Sequence, residues 1–170
     1  MKYLISGTTS GIGNAIKKKL NHQMVYEINR DTVDLNEPKL VEKITLPIVD
    51  CAILNAGHDL GGGVPFVEHN SSQMLKVLNC NLVSNVLLSQ KILRNNPKTI
   101  LVLVTSTNVN KQYPNDLAYK KTEFNNNRHK EKHKPINDLY TMKHMSPEYV
   151  AESILYLIES EADFWEINGE

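Results

Sequence analysis

Gly7, Gly11 and Gly13 are the residues whose type and spacing first suggest chemistry. They follow a short apolar run, Tyr3-Leu4-Ile5-Ser6. A helical pattern from Asn14 to Leu20 comes next, with Ala15, Ile16 and Leu20 on one side and lysines opposite. Strand, glycine turn and helix in that order is the context a dinucleotide phosphate site requires. Gly7 would let the chain turn sharply, Gly11 would let the backbone approach a pyrophosphate, and Gly13 would let the helix pack on the strand. The helix N-terminus would offer unpaired N–H groups and a positive dipole end to the phosphates. Thr9, Ser10 and Ile12 complete the candidate cofactor-binding turn. An ordinary strand–helix turn could use the same glycines.

A second apolar run, Met24 to Ile28, ends at Asn29-Arg30-Asp31. At the end of the second strand of a dinucleotide-binding sheet, a carboxylate suits the ribose hydroxyls of NAD and a cation suits the 2′-phosphate of NADP. Arg30 favours NADP, and Asp31 keeps NAD open. Arg30 also fits a solvated turn.

The elements that must position such a site follow in order. Val33-Asp34-Leu35 reads as a very short third strand, and Pro38 to Ile44 as a short helix with proline in its first turn. Cys51-Ala52-Ile53-Leu54 is an apolar strand that runs into Asn55-Ala56-Gly57. The loop from His58 to Asn70 contains Gly61-Gly62-Gly63 and lies where ligands enter open α/β sheets. A long helix is expected from Gln73 to Leu93, capped by Ser71 or Ser72, with Leu75, Leu78, Leu82, Val86 and Ser89 at helical spacing. Thr99 to Val104 reads as a strand covered on both faces, ending in Thr105-Ser106. Tyr119 lies thirteen residues beyond Ser106.

The G-x-x-x-G-x-G spacing resembles the T-G-x-x-x-G-x-G of the short-chain dehydrogenase/reductase family, with Ser6 at the leading threonine. Asn55-Ala56-Gly57 resembles the family's N-N-A-G, with Leu54 at the first asparagine. Asn79-Cys80-Asn81-Leu82 resembles its V-N-L segment, and the strand, Ser106, loop and Tyr119 match it in order and spacing. The resemblance covers about two thirds of the chain, from Met1 to Tyr119. It implies a Rossmann-like, doubly wound, mostly parallel sheet of five or six strands in a three-layer αβα arrangement. It implies hydride transfer between NADP or NAD and a small carbonyl or alcohol substrate. Ser106 would hydrogen-bond the substrate oxygen, and Tyr119 would act as general acid or base. Asn81 would support a proton relay through a water held by its helix; beside Asn79 and Asn85 it also fits a solvent-facing asparagine. Asn55, Ala56 and Gly57 would line the cofactor, and Asp34 would lie near the adenine.

Two features depart from the family pattern. The family carries a lysine four residues after the tyrosine, on the same helix face, where it lowers the tyrosine pKa. Here that position is Glu123, whose charge would act in the opposite sense. Lys120 and Lys121 point elsewhere around a regular helix. The segment after Tyr119 is also short. Residues 125–145 are polar all round and read as an exposed loop. Within it, His129 and His133 have i, i+4 spacing but no third ligand, so no metal site is assigned. Ser146-Pro147-Glu148 then starts an amphipathic helix, and Phe164 to Asn168 resembles the family's last strand. A second reading follows from Glu123: a non-catalytic NAD(P)-binding protein, a regulatory or partner subunit.

Composition bounds these readings. The chain has 170 residues, 41% of them hydrophobic, which fits a single domain. Nineteen basic residues balance nineteen acidic ones, so global charge argues for neither nucleic acid nor a membrane surface. Cys51 and Cys80 fit a reduced compartment, and no apolar run is long enough to span a bilayer. The expectation is a cytoplasmic protein, with a homo-oligomer left open.

Overall fold

The computed structural model describes residues 1–58, 68–105 and 146–160. Four strands form one parallel sheet: β1 (Lys2–Ser6), β2 (Met24–Ile28), β3 (Cys51–Leu54) and β4 (Ile100–Leu103). Their spatial order is β2-β1-β3-β4. Ser6 pairs with Ile28 on one side and Leu54 on the other, and Leu54 pairs with Leu103. These four residues mark the carboxyl edge of the sheet. The strand order reverses between β1 and β3, which makes that edge a topological switch point.

The helices are α1 (Gly11–Lys19), α2 (Pro38–Lys43), α3 (Ser71–Leu78), α4 (Ser84–Asn95) and α5 (Pro147–Glu159). A π-helical turn, Asn79–Val83, joins α3 to α4. Alternation along the strands splits the apolar residues into two cores. Tyr3, Ile5, Cys51 and Ile53 face Ile12, Ala15 and Ile16 of α1, and Val150, Ala151, Ile154 and Ile158 of α5. Leu4, Ala52 and Leu54 face Val41 of α2, Cys80 of the π turn, and Leu88 and Ile92 of α4. Helices thus cover both faces of the sheet, giving a Rossmann-like, doubly wound αβα sandwich.

Local chemistry sets the element ends. Lys17, Lys18 and Lys19 occupy the last turn of α1, where cations complement the helix dipole. Lys19 also pairs with Glu152 of α5 at 2.6 Å. Ser146 caps α5, its Oγ accepting from the Tyr149 N–H, with Pro147 at the first helical position.

Four expectations change. Val33–Leu35 forms no strand. Asn29 and Thr32 close one turn and Asp34 and Asn36 the next, and these side-chain bonds compete with sheet pairing. The cap of α3 is Asn70 in a reciprocal box with Gln73, not Ser71 or Ser72. The helix expected over Gln73 to Leu93 runs from Ser71 to Asn95 and is interrupted by the π turn. Finally, β4 is half-buried and ends at exposed Leu103, because it is the edge strand among the described residues. Any fifth strand, including the one expected over Phe164 to Asn168, lies outside them.

Candidate nucleotide site at the sheet switch point

The turn from β1 into α1 sits at the switch point. The Gly7 N–H donates to the Ile28 carbonyl at 2.8 Å, which ties the turn to the end of β2. Gly7 has φ +74° and Gly11 φ +57°, the left-handed region that favours glycine. A Cβ on Gly7 would lie 2.8 Å from Ala56 Cα, so the glycine admits the loop after β3. A Cβ on Gly13 would overlap the Gly7 carbonyl oxygen and lie 2.8 Å from Asn55 Nδ2. Among the described residues, none comes within 4 Å of where a Cβ on Gly11 would lie.

The start of α1 is free to meet an anion. Ser10 is its N-cap residue, in extended conformation, and its side chain makes no capping bond. No acidic residue lies in the first turn. Thr9, Ser10 and Gly11 are exposed. The Ile12 side chain is buried in the first core, so its backbone N–H is the group it can offer. Among the described residues, first-turn N–H groups without a side-chain cap, an open glycine and no first-turn acid together suit a phosphate.

Ser6 and Asn55 lock the turn to β3. The fully buried Ser6 Oγ accepts from the N–H groups of Asn55 at 3.0 Å and Ala56 at 2.9 Å. The Asn55 amide donates back to the Ser6 and Gly7 carbonyls, each at 3.3 Å. Asn55 therefore spends its side chain holding the glycine turn, while Ala56 packs against Gly7 and Gly57 is exposed.

Thr8 and Glu27 form a contact the sequence reading missed. The buried Thr8 hydroxyl donates to Glu27 Oε2, and Lys17 Nζ sits 2.7 Å from Glu27 Oε1. The Lys17 hydrogen bond first, then the Thr8 hydroxyl, hold the Glu27 carboxyl below its ordinary range. One carboxylate thus joins α1, β2 and the turn. Its signal was the alternation of β2, which puts Glu27 on the α1 side beside Val25.

Arg30 is exposed in the turn after β2. In that turn the Asn29 N–H donates to Thr32 Oγ1 at 2.9 Å and the Asp31 N–H to Asn29 Oδ1 at 3.1 Å. Asp34 is half-buried, and its Oδ1 accepts from the backbone and side chain of Asn36.

Asn81 is buried at 8% exposure, not solvent-facing. Its Oδ1 accepts from the His58 N–H at 2.7 Å and its Nδ2 donates to the His58 carbonyl at 2.8 Å. This pair pins the loop after β3 to the π turn. Asn85 Nδ2 donates to the Asn81 carbonyl at 3.0 Å. Asn79 and Ser84 hold the other loop: Asn79 Nδ2 donates to the Asn36 carbonyl at 3.0 Å, and the buried Ser84 hydroxyl to the Leu35 carbonyl at 2.7 Å. The signal for the asparagines of this set was their spacing of two and four residues, at Asn79, Asn81 and Asn85.

Ser106, Tyr119, Lys120, Lys121, Glu123, the glycine run at 61–63 and the segment 125–145 lie outside the described residues. At the carboxyl edge, just past β4, the Val104 N–H donates to the Leu54 carbonyl at 3.0 Å. Among the described residues, no cluster of three or more His, Cys, Asp or Glu could hold a metal ion, and no helix is long and apolar enough to cross a membrane.

No protein-family profile matches the chain, and no curated protein matches it in sequence. Solved structures do. A small-chain dehydrogenase superposes with a TM-score of 0.69 at 21% identity, over 94% of this chain and 90% of that one. A small-chain dehydrogenase in complex with NADPH matches at 0.62 and 24% identity, over 71% of this chain and 57% of that one. A short-chain dehydrogenase/reductase from Vibrio parahaemolyticus matches at 0.65 and 18%, over 91% and 89%. The chain has the Rossmann fold of the short-chain dehydrogenases.

Proposed function

We propose that this chain is an NAD(P)-dependent oxidoreductase of the short-chain dehydrogenase/reductase family, moving a hydride between nicotinamide and a carbonyl or alcohol. The observation that carries the reading is the turn at the switch point. Gly11 is left-handed with open space around it, and the first turn of α1 has neither an acid nor a side-chain cap. The backbone N–H groups of residues 9–12 would hold the pyrophosphate, and Asp34 would border the adenine. Arg30 would meet a 2′-phosphate, which favours NADP. A similar fold crystallised with NADPH supports a nicotinamide cofactor.

The cofactor supplies the hydride; the chain supplies orientation and a proton. Ser106 would hydrogen-bond the substrate oxygen and Tyr119 would exchange its proton. Asn81 would hold the start of the loop after β3 at His58. Cys51 and Cys80 fit a reducing, cytoplasmic setting and a single domain is the simplest organisation.

Isothermal titration with NADPH and NADH tests the nucleotide site, and turnover across a carbonyl panel tests the enzyme. Tyr119→Phe should abolish turnover while leaving NADPH affinity within about twofold, since it removes one proton donor and no phosphate contact. Glu123 favours a second reading, a cofactor-binding protein without turnover. Tight NADPH binding with no turnover, and turnover gained in Glu123→Lys, would establish a degraded site.

A further inference from the structure

We infer that Asn79 is a positioning residue for the adenosine half of the bound dinucleotide, acting through the backbone of residues 34–36. The inference rests on the nucleotide site proposed above. A pyrophosphate at the switch point sends one nucleoside over the end of β2 and the other over β3 and β4. The loop after β2 therefore borders the first nucleoside. That loop has no strand pairing of its own; it consists of the Asn29–Thr32 and Asp34–Asn36 turns.

Two side chains from the helix pair hold its carbonyls in place. Ser84 reaches Leu35 from the first turn of α4, and Asn79 reaches Asn36 from the first residue of the π turn. Both accepting groups are backbone carbonyls, so these bonds set where the loop sits and not which side chains it carries. Two residues beyond Asn79, Asn81 grips His58 on the far side of the switch point. One helical turn thus spans the site, with Asn79 on the adenosine side and Asn81 on the other. Residues 79 and 81 would point about 200° apart on a regular α-helix. The wider π turn between α3 and α4 is where both side chains reach loops of the same sheet edge.

The test uses the full chain, with NADPH as the whole ligand and adenosine 2′,5′-bisphosphate as its adenosine half. Asn79→Asp keeps the shape but faces the Asn36 carbonyl with a second acceptor; Asn79→Ala removes the donor. In both, affinity for NADPH and for the bisphosphate should fall by the same factor, about five- to tenfold for one lost loop hydrogen bond. Hydrogen exchange should rise over residues 33–37 and stay unchanged over 55–58. Unchanged affinities overturn the inference. So does a loss for NADPH without a loss for the bisphosphate, or equal loosening of both loops. If both variants fail to fold, Asn79 is a folding requirement and the inference is also overturned. A wild-type chain that binds neither ligand removes the nucleotide reading itself, a different outcome from binding that Asn79 does not affect.

Discussion

Gly13 lies against the carbonyl of Gly7 so closely that a Cβ on Gly13 would overlap that oxygen, and it would also lie 2.8 Å from Asn55 Nδ2. Both neighbours are held: Gly7 by its bond to Ile28, Asn55 by its bonds to Ser6 and Gly7. The turn cannot move aside for a methyl group. Gly13→Ala should lower unfolding stability by about 2–3 kcal/mol, the upper range for overpacking. Gly11 offers the opposite case, with φ +57° and open space. Gly11→Ala should lower stability by only about 1–2 kcal/mol of left-handed strain. On the proposed nucleotide site it should nonetheless weaken NADPH binding, because its Cβ would stand where the pyrophosphate would approach. Urea unfolding and titration of both variants separate the two roles.

Ser6 makes a different prediction. Its buried Oγ accepts from two N–H groups, those of Asn55 and Ala56. Removing it strands both donors near the centre of the sheet edge. Ser6→Ala should cost about 2–4 kcal/mol, since each unsatisfied buried donor costs about 1–3 kcal/mol. A loss under 1 kcal/mol in urea unfolding would show that the loop after β3 re-pairs those groups.

Glu27 gives a pH dependence with a defined sign. Lys17 and Thr8 hold its carboxyl below the ordinary glutamate value of about 4.5. Its stabilisation is therefore fully present above that value and is lost as pH falls through the lower, folded value. Glu27→Gln removes the charge at every pH. The stability difference between wild type and Glu27→Gln should be constant near neutrality and shrink as pH drops below about 4.5. Side-chain exposure of 30% lets water and salt screen the Lys17 pair, so added salt should reduce the same difference.

The fold was legible because its signals are local and repeated. Tyr3-Leu4-Ile5, Cys51 to Leu54 and Ile100 to Leu103 are short apolar runs, each ending at the carboxyl edge beside a turn former. Gly7, Gly11 and Gly13 carry backbone requirements that few residues besides glycine meet. Val33-Asp34-Leu35 misled because β-branched and apolar residues also suit a buried turn. There, Val33 and Leu35 enter the second core while Asp34 bonds forward to Asn36. The π turn was not legible, because Asn79 and Asn81 act on loops distant in sequence and one residue's own pattern carries no record of its partner. For the same reason Asn81, readable as a solvent-facing asparagine, is a buried clamp.

That clamp yields a prediction about acidity. Asn81 donates to the His58 carbonyl and accepts from the His58 N–H, so its amide uses both ends on one residue. Asn81→Asp keeps the acceptor but sets a second oxygen against a carbonyl, in a position only 8% exposed. Burial and the facing carbonyl both disfavour the ionised carboxyl, and the protonated form restores the donor. The variant's folded carboxyl therefore titrates above its unfolded value. Its destabilisation should be greatest at neutral pH, in the range of about 2–4 kcal/mol for a broken buried pair, and should relax as pH falls through the raised value. This is opposite in sign to the Glu27 effect, where acid removes stability. Urea unfolding of Asn81→Asp from pH 8 to pH 4 measures it. A stability gap to wild type that stays constant or widens in acid would mean that Asn81 does not hold His58 through its amide donor.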